Sequence, residues 1–378
     1  MKSLLLVTPF FRPNVGGVET RLDELTKALS KKDINVFVVT FQPLITKNVK
    51  GKPFEKVENI SIWRHRWVGG DLFHKLLKYP VLETLYLVPI IFWCVLRFLI
   101  QHEVKVIHAA GLNATLACVL LKKIFGFRLV SSTHALYNFK EKTFFSKIVC
   151  VVMNQCDAIL AIGEASRKEL IFIGVDSSRI FLQPTWVNLS VFKPLSVKEC
   201  KRELKLNRKF VAGFVGRLNE NKGVGLVLKL AEKFKDITFV FVGTGSAEEE
   251  VQKASQVVGS NVKYFGRIEN YDLPRYYNAM DLFLAPALYP EGYTRSVVEA
   301  LSCGVPILAS NMGCLPEIVI EGVGWLVEPS FESFSEKLFE MVENKKGLLE
   351  IRKRCAETSK KRYSEDRLEE IIKVYKLG

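Results

Sequence analysis

Two carboxylates, Glu291 and Glu299, stand eight positions apart in the stretch Pro290-Glu291-Gly292-Tyr293-Thr294-Arg295-Ser296-Val297-Val298-Glu299-Ala300-Leu301, which runs on into Cys303-Gly304-Val305-Pro306. Gly292 frees the backbone to bend, and Thr294 or Ser296 is placed to cap a helix that buries Val297, Val298 and Leu301. The pattern sets a loop carboxylate beside a helix N-terminus whose free N–H groups attract an anion, with Glu299 about one turn further in. A phosphate at the helix end, with acids on both sides accepting from hydroxyls, describes a nucleotide-sugar pocket. A surface glutamate followed by an ordinary amphipathic helix has the same spacing, because paired acids at helical distances are common.

Counter-charge for a diphosphate is available at Arg217 and Lys222, in Gly216-Arg217-Leu218-Asn219-Glu220-Asn221-Lys222-Gly223. Arg offers a planar fork and Lys a point charge, and both lie between an apolar run and a helix start. A solvated basic turn looks the same in isolation. Other phosphate devices are missing. There is no P-loop pattern and no Asp-x-Asp triplet. Gly243-Thr244-Gly245 follows an apolar run as a dinucleotide fingerprint would, but the third glycine position is Glu248, followed by Glu249 and Glu250, acids that repel a pyrophosphate. Near the start of the chain, Gly16-Gly17 lies between a strand and a helix, where backbone N–H groups approach an anion or simply turn. His134 falls at a strand's carboxyl end, the edge at which open parallel sheets bind ligands.

These residues need a frame of strands and helices. Apolar runs at 4–7, 36–40, 60–67, 104–109, 128–133, 158–162 and 180–182 alternate with helical patterns, among them Leu22, Leu25 and Leu29. That repetition predicts a doubly wound α/β domain. A polar stretch, 188–206, reads as a linker. Strands at 209–214, 238–242, 262–265, 282–285, 306–309 and 324–327 form a second such series, and 363–375 reads as a closing amphipathic helix.

A chain of 378 residues suits two domains, and 48% hydrophobic with 25% charged residues describes a globular protein with a sizeable core. A net charge of +14 favours an anionic partner: phosphates, nucleic acid or acidic lipid headgroups. Eight scattered cysteines without a CxxC pair read as reduced thiols in a cytoplasmic setting, and five histidines without metal spacing leave no metal site to expect. The opening apolar run is cut at Thr8-Pro9, so it reads as a buried strand and not as a secretion signal. Residues 84–96 carry no charge but contain Pro89, and are too short for a bilayer span of about 20 residues. Arg64, Arg66, Lys75, Lys78 and Arg97 surround this run, with Trp67, Tyr86 and Trp93 close by. It reads as a core helix or as one docked on an anionic membrane surface.

Taken in order, Gly16-Gly17-Val18-Glu19, Thr133-His134, Gly216-Arg217-Leu218 with Lys222-Gly223, Glu291 to Glu299, Gly304-Val305-Pro306 and Tyr363-Ser364-Glu365 resemble glycosyltransferase family 4 along nearly the whole chain. The resemblance implies a retaining, metal-independent hexosyltransferase of GT-B fold: two facing Rossmann-like, doubly wound domains and a C-terminal helix crossing back to the first. The domains would be 1–190 for the acceptor, joined by 363–378, and 206–362 for the nucleotide sugar. By resemblance Glu291 binds donor-sugar hydroxyls and Glu299 the ribose, while Arg217 and Lys222 hold the diphosphate and stabilise the leaving nucleotide. Gly16, Gly17 and Gly216 let backbone approach the donor, and His134 contacts its sugar. Backbone N–H groups from Gly292, Tyr293, Thr294, Arg295 and Ser296 add to the phosphate site, and Arg267 and Ile268 border the base.

The chain departs from the family pattern at Pro184-Thr185-Trp186-Val187-Asn188 and at Tyr293-Thr294-Arg295, where Arg295 points either to the phosphates or to solvent. The expected partners are a UDP- or GDP-sugar, a glycan or lipid-linked acceptor and an anionic membrane surface, with no cofactor and no nucleic acid. The expected location is cytoplasmic, peripheral on the membrane's cytoplasmic face. A nucleotide-sugar epimerase or hydrolase of the same fold is the alternative enzyme. A basic nucleic-acid module is a third reading, opposed by aromatics that lie in apolar runs.

Overall fold

Leu4, Leu5, Leu6 and Val7 are each at most 1% exposed, as a central strand covered on both faces must be. The computed structural model describes residues 2–14, 16–44, 49–69, 72–76, 79–140, 143–206 and 210–377. Met1, Lys78, Lys209 and Gly378 lie outside them. The chain divides into two compact units, Met1–Pro184 with Leu368–Gly378, and Thr185–Arg367.

The first unit holds Ser3–Val7 (β1), Asn35–Phe41 (β2), Phe54–Val57 (β3), Ile60–His65 (β4), Val106–Ala110 (β5), Arg128–Ser132 (β6), Ala158–Ala161 (β7) and Ile180–Leu182 (β8). Their order is β3-β4-β2-β1-β5-β6-β7-β8, parallel except for β3 against β4. The second unit holds Phe210–Val215 (β9), Ile237–Val242 (β10), Val262–Tyr264 (β11), Leu282–Ala285 (β12), Ile307–Ser310 (β13) and Gly324–Val327 (β14). Their order, β11-β10-β9-β12-β13-β14, is parallel throughout. Both sheets therefore reverse direction beside their first strand, at β1/β5 and at β9/β12, which is the Rossmann arrangement. Ligands bind in the crevice at such a switch point, outside the strands' carboxyl ends.

Four local expectations change. β3 escapes the sequence pattern because Phe-Glu-Lys-Val has no apolar alternation, and it pairs only at the sheet's edge. The apolar run at 84–96 is part of a longer helix, Pro80–Gln101, which continues through Glu83 and Arg97. Pro89 lies inside it with its ring exposed, while Leu87, Ile91, Val95 and Phe98 pack into the core and hold the helix through the break. Val81–Gln101 is thus long and apolar enough to cross a membrane by length and composition, and 28% of an apolar 18-residue stretch within it is buried. The stretch 188–206 is no bare linker. It contains helix Val197–Glu203 and packs Phe192, Cys200 and Leu206 into the second unit's core. Finally, the closing helix starts at Leu368 and not at Tyr363. Tyr363 is 1% exposed in the second unit, where its carbonyl accepts from Val187 N–H and its hydroxyl meets that of Tyr293.

Candidate active site

In the second unit, Arg217 and Lys222 follow β9, and Glu291 follows β12, so the sheet's switch point brings the two loops side by side. Lys222 Nζ donates to Glu291 Oε2. Leu288 N–H donates to the carbonyl of Asn221 at 2.9 Å, tying the same loops through backbone. Gly223 makes that approach possible. It has φ +75°, and a Cβ there would sit 2.0 Å from the Pro286 carbonyl oxygen. Arg217 is exposed at the mouth of its loop.

Helix Arg295–Ser302 begins just beyond Glu291. Thr294 is its N-cap, but the hydroxyl makes no capping bond and instead donates toward Glu291 Oε2 and the Gly292 carbonyl, each at 3.4 Å. The expected cap is therefore replaced by a tie to the loop carboxylate. Arg295 takes neither of its two expected directions. Its Nε donates to Glu299 Oε1 at 2.7 Å, one turn along the helix. The other carboxylate oxygen accepts from Tyr277 OH at 2.8 Å. Glu299 is only 3% exposed, so a buried charge is matched by a cation and a hydroxyl. Burial and the Glu299 carboxylate hold the Tyr277 phenol well above its usual range, so it stays a donor.

Tyr293 turns its hydroxyl to Tyr363 at 3.0 Å. Arg267 is exposed and pairs with Glu269 at 3.4 Å, while Ile268 packs against the second unit's core.

In the first unit, Gly16 is the extended N-cap of helix Gly17–Ser30, and a Cβ on Gly17 would meet nothing within 4 Å. His134 lies just past β6, where Ser132 Oγ meets its Nε2 at 2.9 Å. Its Nδ1 is buried without a partner. Ser132 also meets His108 Nε2 at 2.7 Å. Burial, and after it the Arg21 guanidinium, pushes His108 down to about 3. Burial, Arg21 and His108 together hold His134 well below the usual imidazole range. Among the described residues, no group of three or more His, Cys, Asp or Glu is placed to hold a metal ion.

A family model described as "Glycosyltransferase Family 4" matches residues 15–191, and one described as "Glycosyl transferases group 1" matches 197–362. The chain belongs to glycosyltransferase family 4. This glycosyltransferase is 23% identical over 352 residues to a human phosphatidylinositol N-acetylglucosaminyltransferase subunit, covering 89% of this chain and 67% of that one. It is 25% identical over 365 residues to an uncharacterized glycosyltransferase of Methanocaldococcus jannaschii, covering 90% and 89%. Among solved structures, the sucrose-phosphate synthase of Thermosynechococcus elongatus superposes with a TM-score of 0.85 at 18% identity, over 100% of this chain and 98% of that one. Anabaena HepE in complex with UDP-glucose gives 0.78 at 19%, over 99% and 98%. These likenesses establish the GT-B fold.

Several glycines shape the glycosyltransferase's second unit through partners that the sequence does not reveal. A Cβ on Gly243 would lie 1.9 Å from the Gly216 carbonyl oxygen, and one on Gly245 2.2 Å from that of Leu218. Leu218 N–H donates to the Thr244 carbonyl at 2.9 Å, and Ala247 N–H returns to Leu218 at 2.8 Å. The glycine pair that fails as a dinucleotide fingerprint thus braces the loop of Arg217. Gly313, at φ +58°, does the same for Glu291: a Cβ would lie 2.4 Å from the Glu291 carbonyl oxygen, which accepts from Cys314 N–H. The glycines are visible in the sequence; their partners lie in the loops that follow neighbouring strands and are not.

Proposed function

We propose that this glycosyltransferase moves a hexose from a UDP- or GDP-sugar to a glycan or lipid-linked acceptor, with retention at the anomeric carbon and without a metal ion. The observation that carries the reading is the Lys222–Glu291 pair at the β9/β12 switch point. A donor would exchange this pairing for two better ones, its diphosphate taking Lys222 and its sugar hydroxyls taking Glu291. Arg217 adds a second cation as charge develops on the leaving diphosphate, and preorganised groups of this kind contribute about 3–4 kcal/mol each. Backbone N–H groups between Gly292 and Ser296 complete the anion site at a helix end that has no side-chain cap. Glu299, held by Tyr277 and Arg295, takes the ribose hydroxyls, and Arg267 and Ile268 border the base. Gly16 and Gly17 admit the donor to backbone in the first unit, and His134 meets its sugar. A uridine donor is supported by HepE, whose complex holds UDP-glucose.

The acceptor reading rests on an apolar surface in the first unit. Helix Pro80–Gln101 leaves Leu82, Leu85, Trp93 and Ile100 exposed, where a water-facing stripe is normally polar. Helices Leu112–Phe125 and Phe144–Met153 add Leu120, Ile124, Phe144 and Val151, with Lys123 and Lys147 exposed among them. Apolar anchors mixed with cations fit an anionic bilayer and a lipid-linked acceptor. The name of the human relative, a phosphatidylinositol N-acetylglucosaminyltransferase, supports a lipid acceptor.

Incubation with UDP-, GDP- and ADP-sugars, with and without chelator, tests the donor reading through nucleotide release, and the product's anomeric coupling tests retention. Hydrolysis or epimerisation of donor alone, at the rate seen with acceptor, would replace transfer by the alternative chemistry. Flotation with anionic vesicles at low salt tests the surface separately, because a protein that ignores them keeps its donor chemistry.

A further inference from the structure

Three hydrogen bonds, two buried and the third part-buried, run from the last helix of the chain to His134. Tyr375 OH meets His108 Nδ1 at 2.8 Å, His108 Nε2 meets Ser132 Oγ at 2.7 Å, and Ser132 Oγ meets His134 Nε2 at 2.9 Å. Tyr375, His108 and Ser132 are each 0% exposed, and all four residues belong to the first unit.

Such a chain has a direction. The Tyr375 hydroxyl proton finds no acceptor but His108 among the described bonds, and a buried hydroxyl left without one forfeits a hydrogen bond. Tyr375 therefore donates to His108 Nδ1. A neutral imidazole has one N–H, so His108 carries it on Nε2 and donates to Ser132 Oγ. Ser132 in turn donates to His134 Nε2, and His134 is left with its proton on Nδ1, the ring nitrogen that has no protein partner. Burial keeps both rings in the neutral form that this count requires.

We infer that Tyr375 is a positioning residue that fixes the tautomer of His134 through His108 and Ser132, so that His134 offers an N–H donor to its ligand. Given the reading that His134 meets the donor sugar, it donates to a sugar oxygen and does not act as a base at that nitrogen. This direction leaves one donor, the His134 Nδ1 N–H, for the ligand to satisfy, whereas the reverse would present a lone pair there and strand the proton of Tyr375, which is fully buried.

The test is nitrogen-15 NMR of the full chain labelled at histidine, with signals assigned through His108→Gln and His134→Gln. The wild-type spectrum should show His108 protonated on Nε2 and His134 on Nδ1. Tyr375→Phe removes the donor that sets the direction, so both rings should become tautomer mixtures. Ser132→Ala should free His134 alone and leave His108 protonated on Nε2. In parallel, Tyr375→Phe should lower kcat roughly 10-fold, the worth of one hydrogen bond, with the donor KM within about 2-fold. A wild-type His134 protonated on Nε2 overturns the inference even if Tyr375→Phe does not fold, and so does a His134 tautomer indifferent to Tyr375→Phe. If the tautomers respond as stated but kcat does not, the relay stands and the sugar-contacting role of His134 falls.

Discussion

The ammonium of Lys222 and the carboxylate of Glu291 pair across the boundary between the β9 and β12 loops, and each loop is also fastened to the other through backbone. Both side chains are therefore held by groups of the protein itself. Glu291→Gln keeps the shape and removes the charge. It should lower turnover with the cognate donor about 10²–10³-fold, in the range of a lost preorganised group, with the far-UV spectrum and melting temperature nearly unchanged. Wild-type turnover by this variant would remove Glu291 from the site.

Glycines near the loops should separate into two kinds. Gly223→Ala and Gly313→Ala place a Cβ at 2.0 Å and 2.4 Å from backbone oxygens and force a left-handed φ on alanine. Each should destabilise by more than about 2 kcal/mol in urea unfolding. Gly17→Ala meets open space in a helix's first turn, and its stability should stay within about 0.5 kcal/mol of wild type. If Gly17→Ala nonetheless loses donor affinity, the space was a ligand's.

Tyr277→Phe removes the hydroxyl that Glu299 Oε2 accepts while leaving the ring in the core. Loss of a buried bond to a charged group should cost about 1.5–3 kcal/mol of stability. Donor affinity should fall with it, because Glu299 loses one of the groups that hold it. A donor Kd within error of wild type would separate Glu299 from ribose binding.

Stability should decline in acid, with a computable sign. His108 and His134 are neutral in the folded protein because burial lowers both, His108 to about 3. In the unfolded chain they protonate near 6.5, so below that value the unfolded state binds more protons and each histidine removes about 1.4 kcal/mol per pH unit. Their contribution is complete above about pH 6.5 and is lost as pH falls toward their folded values. His108→Gln should flatten the fall in melting temperature between pH 6.5 and 5. An unchanged slope would mean that other groups set the acid limb.

The parallel strands were legible because central strands are uninterrupted apolar runs. Ile180–Leu182, Leu282–Ala285 and Gly324–Val327 fall where the sequence puts them, and the other parallel strands within two residues. β3 was not, since an exposed edge strand needs no apolar face. Glu291, Lys222 and Arg217 could be picked out as charged residues at loop positions, but only the strand order of the second sheet makes the first two neighbours. Arg295 resisted reading for a different reason. Its partner lies on the same helix, and whether an (i, i+4) pair is buried depends on Tyr277, which comes from another element.

The bracing of the Arg217 loop by Gly243 and Gly245 is made of main-chain atoms alone. Side-chain exchange at Arg217 and Thr244 leaves the joint in place, so the backbones at 216, 218, 243 and 245 form a fixed chassis for variation. Arg217 and Thr244 sit between those points, with their side chains outside the joint. A library aimed at a new donor should diversify Thr244 and hold Arg217 and the glycines constant.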